Sequence, residues 1–161
     1  PLLKASFAEQ VKSMQRLEGL IEKMISDCLK EAGLLGQLKR CLKVEGIGFL
    51  TGARLIATFQ RGEFRNSDAF IAFLGMDLRV NKSGQKDGRR SLSKRGDSEA
   101  RRLLHNAAMA ASRTETWKAF YQAQRARGYS TTQALVILAR KLARVVFALL
   151  KGQSEYQPKV G

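Results

Sequence analysis

Apolar residues in this chain recur every third or fourth position, in segments separated by glycines, and no run shows the strict alternation of a strand. That spacing lines them up on one side of a 3.6-residue helix. It predicts an all-α, mainly helical fold, with at most two short extended pieces around Leu78–Val80 and Arg90–Leu92. Phe7, Met14, Leu17, Ile21, Met24 and Cys28 form the first such seam, with Gln10 its one polar member, and Val11, Leu20 and Ile25 widen it. Ser6 and Glu9 read as a capping box at its start. Residues 1–32 are therefore a coiled-coil-like arm. At about three heptads it stands at the lower limit for a coiled coil. A dimerisation or spacer helix and a helix packed on its own domain both fit. The chain opens at Pro1 already close to this pattern, as a piece of something longer would.

Gly33 and Gly36 end the arm, and residues 33–151 read as one helical domain. A short helix through Leu38 and Leu42 leads into Val44-Glu45-Gly46-Ile47-Gly48, and a small-residue helix through Ala53, Ile56 and Phe59 follows. Over 38–59 this is the helix-hairpin-helix pattern, with Ala53 at the close-packed position. Two glycines permit the tight turn and bring backbone N–H groups within reach of a phosphate, a grip that reads no bases. An ordinary αα turn is the other reading. Ser67 is placed as the cap of a short apolar helix (Phe70, Ile71, Phe73, Leu74) that stops at Gly75. Residues 76–96 form a long basic loop with glycines at 84, 88 and 96. Three helices come after it, the first capped by Asp97 or Ser98, the second by Thr114, the third starting at Thr131 or Thr132. The tail, 152–161, is polar and reads as flexible.

Charge narrows the partner. Lys and Arg number 29 against 14 Asp and Glu, a net +15 with a pI near 10.4. Since 1–32 hold five basic and five acidic residues, all the excess lies beyond Gly33. Nine basic residues fall in 79–102 alone. A polyanion, nucleic acid ahead of an anionic membrane surface, is the expected partner. No apolar stretch is long enough to span a bilayer, because Arg140, Lys141 and Arg144 break the most apolar helix. The apolar face of that helix reads as core rather than as a membrane-surface element. With no secretory signal, the reading is cytoplasmic.

For catalysis the residues offer little except serine. The nine acidic residues beyond position 32 are scattered and form no metal cluster. His105 reads as structural, and Cys28 and Cys41 as core. Ser83, Ser91, Ser93 and Ser98 lie in or beside the basic loop. A hydroxyl attacks phosphorus when the phosphate is held in line and neutralised. Arg79, Lys82, Lys86, Arg89 and Arg90 could supply the charge, with Lys94 and Arg95 either joining them or anchoring the loop to the next helix. A basic loop that simply binds backbone is the plainer reading of the same residues.

The ordered set of motifs, however, resembles a known family. Val44-Glu45-Gly46-Ile47-Gly48 with Ala53, Phe73-Leu74-Gly75, Ser83-Gly84, Ser93-Lys94-Arg95-Gly96-Asp97-Ser98 running into Arg101-Arg102-Leu103-Leu104, Trp117-Lys118-Ala119-Phe120-Tyr121, and Ala139-Arg140-Lys141-Leu142-Ala143-Arg144 follow one another as in the C-terminal transposase domain of the Piv-type DEDD transposases. These are the bridge-RNA-guided recombinases of insertion-sequence family one hundred and ten. The resemblance runs from Leu42 to Leu150. It implies an N-terminal RuvC-like domain, absent from this sequence, whose acidic residues bind Mg2+. It also implies a coiled-coil spacer matching the arm, and a serine that attacks DNA to form a phosphoserine link. The serine of the family's S-G pair maps onto Ser83. Leu78 stands where members often carry proline, which leaves Ser91 and Ser93 as alternative positions. DNA, a structured guide RNA and a second copy bound through the arm are the implied partners, and a nucleoid-associated bacterial protein the implied setting. No cofactor is expected in this chain itself, and alone it is expected to be inactive. The rival expectation is a non-enzymatic helix-hairpin-helix module, with Gly46, Ile47, Gly48 and the basic loop gripping backbone and no covalent step.

Overall fold

The computed structural model describes residues 2–80 and 90–158. They fall into two units, 1–36 and 37–161. Among the described residues there are seven helices and one two-stranded ribbon, so the fold is all-α as the periodicity predicts.

The first unit is essentially α1 (Leu2–Glu31). The helix is already running at Leu2, so Ser6 and Glu9 lie inside it and cap nothing. At its other end Leu34 N–H reaches the Leu29 carbonyl (2.7 Å) and Gly33 N–H the Lys30 carbonyl (3.0 Å), the paired bonds of a glycine stop. Phe7, Met14, Leu17, Leu20, Ile21 and Met24 are all exposed. Cys28, expected in a core, is exposed as well.

In the second unit α2 (Leu35–Leu42), which begins in the first, leads through a tight turn to α3 (Phe49–Phe59) and α4 (Ser67–Phe73). Strands β1 (Leu78–Val80) and β2 (Arg90–Leu92) pair antiparallel, Leu78 opposite Leu92 and Arg79 opposite Ser91. Then come α5 (Ser98–Ala111), α6 (Glu115–Ala126) and α7 (Thr131–Gly152). α7 is the hub, packed on α3, α4, α5 and α6. Its apolar side, from Ala134 to Leu150, is buried, so the arginines on its other edge do not make it a surface helix. Leu55, Ile56, Phe70, Ile71, Leu104, Leu138, Leu142 and Val146 are fully buried around it. Phe70 stacks at 5.5 Å on Phe147 and at 5.1 Å on Phe64. Burial of such side chains, at about 1.5–3 kcal/mol each, is what holds the helices in place.

One expected cap moves by a residue, while α7 starts at Thr131 as expected. Asn66, not Ser67, caps α4, accepting from Ala69 N–H at 2.9 Å. Ser130 caps α7 in a reciprocal box with Gln133. Thr114 flanks α6 but turns its hydroxyl back to the Ala111 carbonyl. No helix among the described residues is long and apolar enough to cross a membrane.

Candidate nucleic-acid interface

The turn between α2 and α3 is built from backbone. Val44, fully buried, accepts Ile47 N–H at 2.9 Å, and Gly46 bridges them at φ +91°. A Cβ on Gly46 would stand 2.5 Å from the Ala107 carbonyl oxygen, so glycine is required there for α5 to pass. On α3 the missing side chain of Gly52 leaves room for Leu38 of α2, and Ala53 beside it is buried. Ile47 is buried and its N–H is spent on Val44, so of the three hairpin residues it contributes packing. Gly48 differs. It is the exposed N-cap of α3, in extended backbone, and offers no side-chain acceptor. The first bond of the helix is Gly52 N–H to the Gly48 carbonyl (2.9 Å), which leaves the amides of Phe49, Leu50 and Thr51 without a backbone acceptor among the described residues.

Two motifs that lie far apart in sequence meet at the base of the basic loop. Gly75 stops α4 at φ +70°, and Gly96, at φ +141°, presses its Cα against the Phe73 carbonyl. A side chain at either place would overlap backbone: one on Gly75 would sit 2.7 Å from the Arg95 carbonyl. Lys94 N–H donates to the Gly75 carbonyl (3.1 Å) and Ser93 N–H to the Asp77 carbonyl (2.9 Å), extending the β1–β2 ladder. The Ser93 hydroxyl donates to the Asp77 carboxylate. Arg101 ties α5 to the Leu74 carbonyl at 3.1 Å.

Asp97 finishes this clamp. Its carboxylate caps α5 through Glu99 and Ala100 N–H (3.1 and 3.0 Å) and accepts Arg54 Nε of α3 at 2.7 Å. Burial pushes its pKa up, but the Arg54 and backbone hydrogen bonds outweigh that and hold it below the ordinary value. Arg54, hydrogen-bonded to Asp97, is raised correspondingly. Beside this pair an open hollow of about 520 Å³ is lined by Arg54, Arg61, Phe73, Arg95, Gly96 and Asp97, with Ser98 at its edge.

The expected site residues divide accordingly. Gly46, Ile47 and Gly48 form the α2–α3 turn, while Lys94 and Arg95 are exposed at the clamp. Lys94 takes a left-handed backbone, φ +53°. Arg79 and Arg90 lie in the two strands, and Ser91 is exposed opposite Arg79. Ser83, Lys82, Lys86 and Arg89 lie outside the described residues, in the nine-residue connection between strands whose ends pair at Val80 and Arg90. Sequence reasoning passed over Arg54 and Arg61. Arg54 lies on α3 and Arg61 in the turn just beyond its C-cap Gln60, so their meeting with Arg95 depends on the fold rather than on a local pattern. Among the described residues no group of three or more His, Cys, Asp or Glu could hold a metal ion. The Mg2+ that the resemblance implies therefore has no fitting ligand set here.

Residues 38–122, 85 of 161, match the family described as the IS116/IS110/IS902 transposases. The chain belongs to that transposase family. It is 30% identical over 151 residues to a "Probable family 20 transposase" of Pseudomonas aeruginosa, covering 90% of this chain and 44% of that protein. It is 31% identical over 125 residues to the "Transposase for insertion sequence element IS1111A" of Coxiella burnetii (74% and 34%). With the "Insertion element IS110 uncharacterized 43.6 kDa protein" of Streptomyces coelicolor it shares 28% over 117 residues (71% and 29%). The chain thus spans less than half the length of these relatives. In this transposase-family chain the matched stretch takes in the α2–α3 turn, the clamp and the whole basic loop.

Proposed function

We propose that this chain is the DNA-binding, serine-bearing C-terminal part of an insertion-sequence transposase that cuts and rejoins DNA through a phosphoserine link. The observation that carries the reading is the family match over 38–122, which contains both the turn and the loop. In its support, α3 begins at an exposed glycine with free amides, where Ser, Asp or Asn would normally cap. Free N–H groups at the positive end of a helix bind phosphate.

The covalent step assigned to Ser83 balances simply. Its oxygen bonds to phosphorus and loses its proton, while a deoxyribose oxygen leaves phosphorus and gains one. Attack by a second strand's hydroxyl reverses the exchange and frees the serine, so no high-energy cofactor is consumed. Arg79, Lys82, Lys86, Arg89 and Arg90 neutralise the phosphate during attack. Mg2+ would be held by acidic residues of the upstream nuclease-like domain that the resemblance implies, where it would stabilise charge on the phosphate; no residue of this chain is assigned to it. Assembly of copies through α1, a structured guide RNA and a nucleoid-associated setting in the cytoplasm complete the reading.

The DNA grip is tested with Gly48→Asp. Gly48 has extended backbone and open space around the missing side chain, so aspartate fits and caps α3, adding a few tenths of a kcal/mol of stability. It also places a negative charge where phosphate would sit. The expected result, by fluorescence anisotropy with labelled duplex, is unchanged or higher Tm with weaker binding. For the wild type, affinity should fall with salt at about 0.9 log units per log unit for each phosphate contacted. Salt-independent binding, or a Gly48→Asp chain that binds as well as wild type, would contradict the reading.

A further inference from the structure

We propose that the hollow beside the loop clamp is a nucleotide subsite, with one backbone phosphate of DNA held among Arg54, Arg61 and Arg95 and its sugar or base lying on Phe73. The inference rests on the DNA-binding reading above and adds a contact outside both the hairpin and the loop.

Four observations converge on it. Three guanidinium groups from two separate segments line one open hollow. The single carboxylate there, Asp97, is already committed to Arg54 Nε and two backbone amides, and its side chain is only 9% exposed. The hollow is therefore cationic overall, and α5's first amides are not its source of charge. Arg61 and Arg95 are exposed and make no hydrogen bond or ion pair among the described residues, so their forks are available for the bidentate geometry that a phosphate suits.

Fourth, Phe73 is 42% exposed in the same hollow although it makes a T-shaped contact with Phe64 at 5.3 Å. A free inorganic anion makes no use of a phenyl face, whereas a nucleotide carries both an anion and a flat apolar surface. Position supports the same occupant. Arg54 lies six residues beyond Gly48 along α3, roughly 9 Å at 1.5 Å per residue. That is on the scale of one to two phosphate steps along a strand, so the α3 start and the hollow could engage one backbone in register. The hollow also abuts the 93–96 turn that closes the basic loop.

The test uses the whole 161-residue chain with a fluorescein-labelled single-stranded DNA 12-mer and its duplex, titrated across a salt series. Arg61→Gln and Arg95→Gln remove the charge, keep a polar side chain and break no contact among the described residues, and Phe73→Leu keeps an apolar side chain but removes the ring. Thermal melts verify the fold of each. The double arginine variant should bind roughly tenfold or more weakly, the factor carried by one lost charge-assisted hydrogen bond, with a shallower salt slope. Phe73→Leu should weaken the single strand more than the duplex. Wild-type affinity in the arginine variant, with Gly48→Asp still weakened, overturns the subsite alone. Wild-type affinity in Phe73→Leu overturns the nucleotide as occupant. Loss confined to an RNA strand of the same sequence overturns DNA as the partner. No nucleic-acid binding by the wild-type chain overturns the subsite together with the reading on which it rests.

Discussion

Gly96 shows how much of the family signature is geometry. At φ +141° its Cα presses on the Phe73 carbonyl, where no side chain fits. Gly96→Ala should cost about 2 kcal/mol or more from left-handed strain and overlap together, read as a lower midpoint in urea. A midpoint within error of wild type would show that the 93–96 turn is not locked. The two cysteines separate in the same way. Cys41 is completely buried, and that burial, partly opposed by Arg40, pushes its thiol up to about 11. Cys28 is exposed. An aromatic disulfide reagent at neutral pH should therefore titrate one thiol in the folded chain and two after denaturation. Rapid reaction of both in the native state would contradict the packing of α2 on α3.

At the scale of elements, Asp97 links three of them: the clamp, α3 and α5. Its folded pKa lies below the unfolded value near 3.9. The stability that it contributes is therefore complete above that value and is lost as pH falls through the lower folded one. Asp97→Ala should cost about 1–2 kcal/mol at neutral pH and flatten that acid limb, while Asp97→Asn, which still caps α5, should lose less. An acid limb unchanged in Asp97→Ala would place the acid sensitivity elsewhere. α1 makes up most of the first unit. Its exposed Phe7, Met14, Leu17, Ile21 and Met24 are the face proposed for assembly. Leu17→Glu should lower the sedimentation coefficient without shifting the melt of the 37–161 unit; a wild type that sediments as a monomer at every concentration refutes that assembly.

The helices were legible because apolar spacing repeats over whole turns. Even the ribbon at Leu78–Val80 and Arg90–Leu92 falls where extended pieces were expected. What the sequence concealed depends on contacts between distant residues. Asn66 caps α4 because its backbone, and not that of Ser67, is the one that stays extended. That Gly52 meets Leu38 is decided only by the crossing of α2 and α3. The Arg54–Asp97 pair spans 43 positions and has no local signature.

For the whole molecule, the family match, the uncapped start of α3 and the clamped base of the basic loop belong to one compact unit, 37–161. The central claim is that this unit presents a serine to a DNA phosphate. It is tested most directly in a full-length transposase carrying this chain as its C-terminal part, incubated with donor and target DNA, guide RNA and Mg2+. Denatured complexes are digested with trypsin and nuclease, and the nucleotide-bearing peptide is identified by mass spectrometry. A nucleotide is expected on the peptide 83–86, absent when Ser83→Ala is used. A nucleotide on the peptide 91–94 would move the nucleophile to Ser91 or Ser93. No adduct on any serine, with DNA binding intact, would contradict the covalent mechanism and leave a module that only grips DNA.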